Sequence, residues 1–328
     1  ELDYLEPYQY RSMVLEPPAP QIEEAARLIA GAENPLLIAG TGVLNSSGWE
    51  DFQELVDLLN CPATTTTAAR SAFNSDHPNS LLGLANGALT ARREADVILA
   101  VGTRLGNMDL PYDTYFGDPG KQQLIQVDVD PEAIGRNRPV DLGLVGDARA
   151  TLASLIEEVE VTTGPRPPSE RLDEFRHQNQ EWERNLAGLA REGKPVHPAK
   201  LMLEVADFFP RNGILVMDGG NTSLYCFQYQ RVYEPRSFLW TSEFGHLGTG
   251  VPYAMAAKLA NPDRPVILVA GDSAFGLNIQ ELETAYREKL PFICVVNCDY
   301  RWGMEVPGQI RAFGAGNLVG VDHSRARY

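Results

Sequence analysis

The stretch "VILVAGDSAFG", Val266 to Gly276, decides how the second half of this chain is read. Five apolar residues run straight into Gly271-Asp272-Ser273, and Gly276 follows three places later. A continuous apolar run bounded by a glycine is a strand buried on both faces, as in a parallel sheet. An acid and a hydroxyl where such a strand ends suggest three readings: a metal–phosphate site, a serine nucleophile, or a simple helix cap. The nucleophile elbow wants G-x-S-x-G on a strand-to-helix turn. Here Phe275 stands two residues after Ser273, the glycine comes one place late, and no His/acid pair stands out among five histidines. A cap explains Asp272 or Ser273 singly.

Working outward, the same pattern recurs. Apolar strands are expected at "GILVMDGGN", "SFLWT", "PVILVAGD" and "PFICVVNCD". Helices are expected at Ala199–Phe208, Val251–Leu259 and Asn278–Lys289. The first half alternates likewise. It has helices at Gln21–Ala32, Gly48–Leu59, Ala85–Ala95 and Ala148–Val159, with strands at "NPLLIAGTG", Pro62–Thr66, "DVILAVGTR" and "LIQVDVD". Short strands alternating with helices mean α/β architecture, here two doubly wound, Rossmann-like parallel-sheet domains. Residues 1–20 read as an N-terminal linker, 21–161 as a central domain, 162–194 as a Pro-rich linker and charged helix (Arg171 to Arg191), and 195–328 as a second domain.

Composition narrows the function. A length of 328 residues favours two domains. The 28 Lys and Arg against 44 Asp and Glu give a net charge of −16, which argues against non-specific nucleic-acid binding. No apolar run approaches the ~20 residues that span a bilayer. Cys61, Cys226, Cys294 and Cys298 form no CxxC pair, so a metal cluster is not expected. Cys294 and Cys298 read as small buried hydrophobes, and a reducing cytoplasm fits.

In open parallel sheets ligands gather beyond the carboxyl ends of the strands. Three strands of the second domain deliver polar residues there: Asp218-Gly-Gly-Asn221, Gly271-Asp272-Ser273 and Asn297-Cys298-Asp299. A parallel crossover returns the chain to the same edge, so Asp272 and Asp299 can converge. Two carboxylates beside glycines with open N–H groups describe a Mg²⁺-and-phosphate cradle.

The segment "GDSAFGLNIQELETAYREKLPFICVVNCDYRWGM" resembles the diphosphate-binding motif of thiamine diphosphate (ThDP) enzymes, GDG followed after about two dozen residues by NN. Ser273 stands for the motif's third residue, and Cys298 and Asp299 for its two Asn. "SEFGHLGTGVPYAMAAKLANPDRPVILVAGD", "READVILAVGTRL", "IQVDVDPEAIGRNRPVD" and "VGDA" are similar to the acetolactate synthase-like, or pyruvate oxidase-like, group. The resemblance covers nearly the whole chain, as a central and a diphosphate-binding domain. It implies that Asp272, Asp299 and the carbonyl of Arg301 hold Mg²⁺. Gly220, Asn221, Thr222, Gly271, Ser273 and Ala274 would hold the diphosphate, Gly245 would meet the aminopyrimidine, and Leu247 would support the bend between the rings.

The same resemblance implies a 2-oxo acid or acyl-CoA substrate and a homodimer or homotetramer. It also implies a pyrimidine-binding domain, in cis or in trans, that supplies the activating glutamate. Without that domain the chain is expected to be inactive alone, and no catalytic residue is assigned here; Glu243 is not the activator. The chain opens in what resembles the linker after that domain, and "SRARY" precedes the last expected helix and strand. FAD in the central domain is left open, with Thr41–Gly42 and Gly102–Arg104 lining the expected crevice. Asp299 for Asn adds negative charge, which suits either tighter metal binding or a non-catalytic scaffold. "GDSAFG" resembles 2-hydroxyacyl-CoA lyases and oxalyl-CoA decarboxylases, whereas "LNIQELETA" leans toward acetolactate synthase.

Overall fold

The computed structural model describes residues 14–106, 115–167, 170–241 and 244–323. Most of the acidic N-terminal stretch, Glu243 and "SRARY" lie outside the described residues. Two sheets, both wholly parallel among the described residues, organise the chain.

The first sheet has the order β2-β1-β3-β4-β5, built from β1 (Pro35–Ala39), β2 (Ala63–Thr65), β3 (Val97–Val101), β4 (Gln123–Asp128) and β5 (Leu142–Val145). Every residue of β1 and β3 is buried, because helices cover both faces. One face packs α1 (Ala19–Gly31), the short α2 (Thr41–Asn45), α3 (Trp49–Leu59) and α5 (Ala148–Thr162) through Ile29, Val43, Phe52, Leu55 and Leu152. The other packs α4 (Asn86–Glu94) through Ala88 and Ala91. β5 was not among the expected strands. Gly143 interrupts its four residues, and a Cβ there would fall 2.5 Å from Ile134 Cγ2, so packing rather than propensity holds it.

The second sheet has the order β7-β6-β8-β9, from β6 (Ile214–Asp218), β7 (Phe238–Leu239), β8 (Val266–Gly271) and β9 (Ile293–Asn297). Helices α7 (Pro198–Phe208) and α8 (Asn221–Tyr229) cover one face through Met202, Cys226 and Phe227. Helix α9 (Gly250–Ala260) covers the other through Val251, Ala254 and Ala257. Helix α8 is a further departure from the sequence reading. "NTSLYCFQY" is poor in strong helix formers, and its burial of Cys226 and Phe227 supplies what propensity lacks.

The helix expected at Asn278–Lys289 starts earlier and is broken. The chain turns helical at once in α10 (Asp272–Leu277), leaves helical angles at Asn278 (φ −132°), and resumes in α11 (Glu281–Arg287). Asn278 Nδ2 donates to the Gly248 carbonyl at 2.5 Å, a long-range bond that competes with continuing the helix. A last helix, α12 (Glu305–Phe313), buries no residue.

The charged helix after the Pro-rich stretch, α6 (Glu170–Gly188), serves both domains. Phe175 joins the core under α4, while Leu186 joins the second-domain core, where its carbonyl accepts from Tyr229 Oη at 3.0 Å. A Cβ on Gly87 would lie 2.1 Å from the Phe175 carbonyl oxygen, so only glycine permits that approach. The two domains also meet directly. Arg70 donates to the carbonyls of Phe227 (2.6 Å) and Gln230 (2.8 Å), and Ser75 and Val232 exchange bonds at 3.0 and 3.1 Å.

Cys294 is half-buried and Cys298 is exposed, against the expectation of two buried thiols. β9 is an edge strand whose residues are half-buried or exposed, so its end is open to solvent. Burial and the nearby charges of Asp272 and Asp299 push the Cys298 thiol up, away from thiolate.

Candidate functional site

The strand order β7-β6-β8-β9 reverses between β6 and β8, and there the loops after neighbouring strands diverge and open a crevice. Parallel register brings the strand ends level, with Asp218 beside Ala270 and Gly271 beside Asn297. A cleft of about 720 Å³ opens beyond them. Gly220, Asn221 and Thr222 after β6 line it, as do Gly271, Asp272, Ser273 and Ala274 after β8, and Asp299 and Arg301 after β9. Gly245 and Leu247 close it from the turn that precedes α9. Every residue that the resemblance assigns to the cation, the diphosphate and the two rings therefore borders one cavity, whereas Asp218 and Cys298 do not line it.

Asp272 is 3% exposed and held from both sides. Its Oδ1 accepts from the Ser273 N–H at 2.7 Å, and its Oδ2 from the Tyr300 N–H at 2.8 Å. Each carboxylate oxygen keeps a second lone pair for a ligand. Ser273 Oγ lies 3.4 Å from both Asp272 Oδ1 and the Arg301 carbonyl oxygen, so those oxygens share one neighbourhood. Asp299, exposed, accepts from the Arg301 N–H at 3.1 Å, and this turn carries the Arg301 carbonyl into the cleft.

The phosphate side is shaped by missing side chains. A Cβ on Gly303 would fall 2.7 Å from Asn221 Nδ2 and 2.8 Å from Asp299 Oδ2, so those two side chains converge over it. Gly219 has φ +113°, and its Cβ would stand 3.0 Å from the Gly271 nitrogen. Helix α8 opens at Asn221 with no side-chain cap, leaving its first N–H groups directed into the cleft. Two carboxylates and a backbone carbonyl form an all-oxygen donor set, the kind a hard divalent cation takes. Bare helix N–H groups and close glycines suit phosphate oxygens. The residues present thus fit a Mg²⁺-diphosphate group. Among the described residues, no three His, Cys, Asp or Glu side chains cluster as a metal site.

Asp218, expected to point into the site, plays another part. It is 3% exposed, and its Oδ2 accepts from the N–H groups of Gly248 (2.9 Å) and Gly250 (2.7 Å). Burial pushes its carboxyl above the usual range, opposed by the N–H groups of Gly250, Gly248 and Gly219. Asp218 thereby clamps the turn that presents Gly245 and Leu247. Gly248 (φ +92°) supplies a backbone conformation that side chains rarely adopt. Leu247 is half-buried and faces the cleft, outside the apolar core beneath α9.

The sequence reading also missed His323. Its Nε2 stands 2.7 Å from Ser273 Oγ, its backbone N–H donates to the Tyr300 carbonyl at 2.8 Å, and its ring lies 5.6 Å from that of Trp302. So a histidine does pair with Ser273, fifty residues away, where no spacing rule could show it. A hydrolytic triad is not completed among the described residues, since neighbouring Asp322 is committed to Arg301. In the first domain, Gly42 and Gly102 pack together: Gly42 N donates to the Gly102 carbonyl at 2.9 Å, and a Cβ on Gly42 would lie 2.5 Å from Gly102 Cα.

Residues 22–155 match the family model described as thiamine pyrophosphate enzyme, central domain, and residues 218–326 the model described as thiamine pyrophosphate enzyme, C-terminal TPP binding domain. A sulfoacetaldehyde acetyltransferase of Castellaniella defragrans is 29% identical over 327 residues, covering 92% of this chain and 55% of that protein. A probable acetolactate synthase large subunit of Methanococcus aeolicus is 31% identical over 314 residues, covering 90% and 51%. A sulfoacetaldehyde acetyltransferase of Roseovarius nubinhibens is 31% identical over 327 residues, covering 92% and 53%. The chain spans about half the length of these relatives.

Proposed function

The chain belongs to the thiamine pyrophosphate enzyme family, and on that premise we propose that it holds ThDP and Mg²⁺ for an acetolactate synthase-like transfer from a 2-oxo acid or acyl compound. The observation that carries this reading is the convergence of Asp272, Asp299 and the Arg301 carbonyl with the uncapped start of α8 at the switch between β6 and β8. Relatives named for acetolactate synthesis and for acetyl transfer to or from sulfoacetaldehyde support transfer over hydrolysis.

In this reading Asp272, Asp299 and the Arg301 carbonyl hold the cation. The N–H groups at Asn221, Thr222 and Ala274, with the Ser273 hydroxyl and the bare backbone of Gly220 and Gly271, hold diphosphate oxygens. The Gly245 carbonyl orients the aminopyrimidine, and Leu247 excludes water beneath the bend. Bound ThDP supplies a nucleophilic carbon and an electron sink for making or breaking a bond to a carbonyl carbon. Buried Asp272 anchors the charged end of the group while Asp218 fixes the turn at its other end, so both ends are placed by rigid strand termini. Turnover belongs with the pyrimidine-binding domain and its glutamate, and self-association into a dimer or tetramer is part of the same reading. Exposed apolar side chains, among them Ile293 on the edge strand and Phe313 on α12, support a covering partner. Among the described residues no helix is long and apolar enough to cross a membrane.

Calorimetric titration of ThDP into the chain, with Mg²⁺ or with a chelator, tests the reading. Binding is expected only with Mg²⁺, lost in Asp272→Ala and retained in Asp299→Asn. Undiminished binding by Asp272→Ala would sink it. A non-catalytic scaffold would bind no ThDP at all.

A further inference from the structure

A second pocket lies in the first domain just beyond the end of β2, where it borders the main cleft at Thr67, Leu84 and Phe227. In a chain of net charge −16, its described lining holds no acid but two arginines, Arg70 and Arg92. Arg92 is 1% exposed, the largest fully buried side chain among the described residues. Among the described residues its one side-chain hydrogen bond, from Nη2 to Thr64 Oγ1, is long at 3.4 Å, and its buried Nε has no partner. Arg70 spends its Nη groups on two neutral carbonyls, of Phe227 and Gln230, and among the described residues neither arginine makes an ion pair.

Burying a guanidinium without a counter-charge costs several kcal/mol, so buried charges are found paired. Burial lowers the two arginines to about 10, which leaves both cationic at neutral pH. Neutral acceptors satisfy the hydrogen bonds of Arg70 but not its charge. Thr65, Thr66, Ser75 and Ser80 also line the pocket. Its free space, about 30 Å³, suits one small ion and little more.

We propose that this pocket is a site for one small inorganic anion of halide size, bound between the Arg92 and Arg70 guanidiniums. The assignment does not rest on the ThDP reading, and the site is separate from the Thr41–Gly42 and Gly102–Arg104 crevice, none of whose residues lines it. Arg70 holds the C-terminal end of α8 from the first domain, so the anion stabilises the contact between the two domains.

Two measurements on the full chain decide this. The first is anomalous diffraction from crystals grown or soaked in bromide, with a bromide peak expected against the Arg92 guanidinium. The second is thermal unfolding at constant ionic strength as chloride replaces gluconate, an anion too large for the pocket. Tm is expected to rise by roughly 2 °C when chloride exceeds its Kd tenfold. Arg92→Met, close in volume, is expected to lose that response and to be at least as stable as wild type without chloride. Absence of a bromide peak at Arg92 would overturn the proposal, as would an equal chloride response in Arg92→Met. If Arg92→Met fails to fold, the bromide map on the wild-type chain still decides.

Discussion

Asp218→Ala is expected to loosen the turn that carries Gly245 and Leu247 while leaving the sheet intact. The substitution removes one oxygen that accepts two buried N–H bonds, at 2.9 Å from Gly248 and 2.7 Å from Gly250. Each orphaned donor costs about 1–3 kcal/mol, a gross loss of about 2–6 kcal/mol. Relief of the buried carboxylate offsets part of this, leaving a net loss of about 2–4 kcal/mol. That is a large fraction of a typical stability of about 5–15 kcal/mol, yet not enough to unfold the chain outright. No cavity large enough to collapse the sheet is created, because the Asp218 side chain is small. Urea denaturation gives the stability change, and calorimetry with ThDP and Mg²⁺ gives the effect on the site. Binding is expected to weaken tenfold or more, since the Gly245 carbonyl and Leu247 lose their fixed position. A variant within about 0.5 kcal/mol of wild type that bound ThDP equally well would refute the clamp.

Asp218 also gives a pH dependence. Its folded-state pKa is raised by burial, so its contribution is complete below the unfolded carboxylate range and is lost as pH rises through the raised value. Asp218→Asn should therefore gain on wild type as pH rises from the unfolded carboxylate range through the raised folded value, read from urea midpoints; a constant difference would contradict the assignment. Leu247→Ala, in enzyme complete with its pyrimidine-binding domain, should slow hydrogen–deuterium exchange at the thiazolium carbon tenfold or more through lost near-attack geometry, and Leu247→Met should be tolerated. An unchanged exchange rate would leave Leu247 as plain lining. Gly303→Ala places a methyl 2.7 Å from Asn221 Nδ2 and 2.8 Å from Asp299 Oδ2, so ThDP affinity should fall with little loss of stability. Ser273→Ala removes the hydroxyl beside His323 and should cost about fivefold in ThDP affinity, the worth of one hydrogen bond; affinity equal to wild type would remove Ser273 from the cradle.

Much of the fold was legible because parallel strands are local objects. "VILVA" and "LLIA" are apolar at every position, and only a strand covered on both faces wants that. What escaped was stabilised from a distance. β5 is held by Ile134, α8 by its burial against α7, and the break between α10 and α11 by Asn278 bonding to the Gly248 carbonyl. No window of neighbouring residues contains those partners. The same distinction separates the two roles of the strand-end acids. Asp272 and Asp218 look alike in sequence, each following an apolar run and preceding a small residue. One lines the cleft and the other clamps a turn thirty residues downstream.

The sequence by itself determined that polar groups gather at the carboxyl ends of parallel strands, because strand period and crossover handedness leave a parallel unit no other arrangement. It also determined which residue types stand at those ends, since Gly271, Asp272, Ser273 and Asp299 follow their apolar runs directly along the chain. Tertiary structure alone decided where the reversal of strand order falls, between β6 and β8, and so which loops part to make the cleft. It alone brought His323 to Ser273 and buried Arg92 without an acid. Those outcomes depend on the relative placement of elements far apart in sequence, and that placement is fixed by packing the whole core.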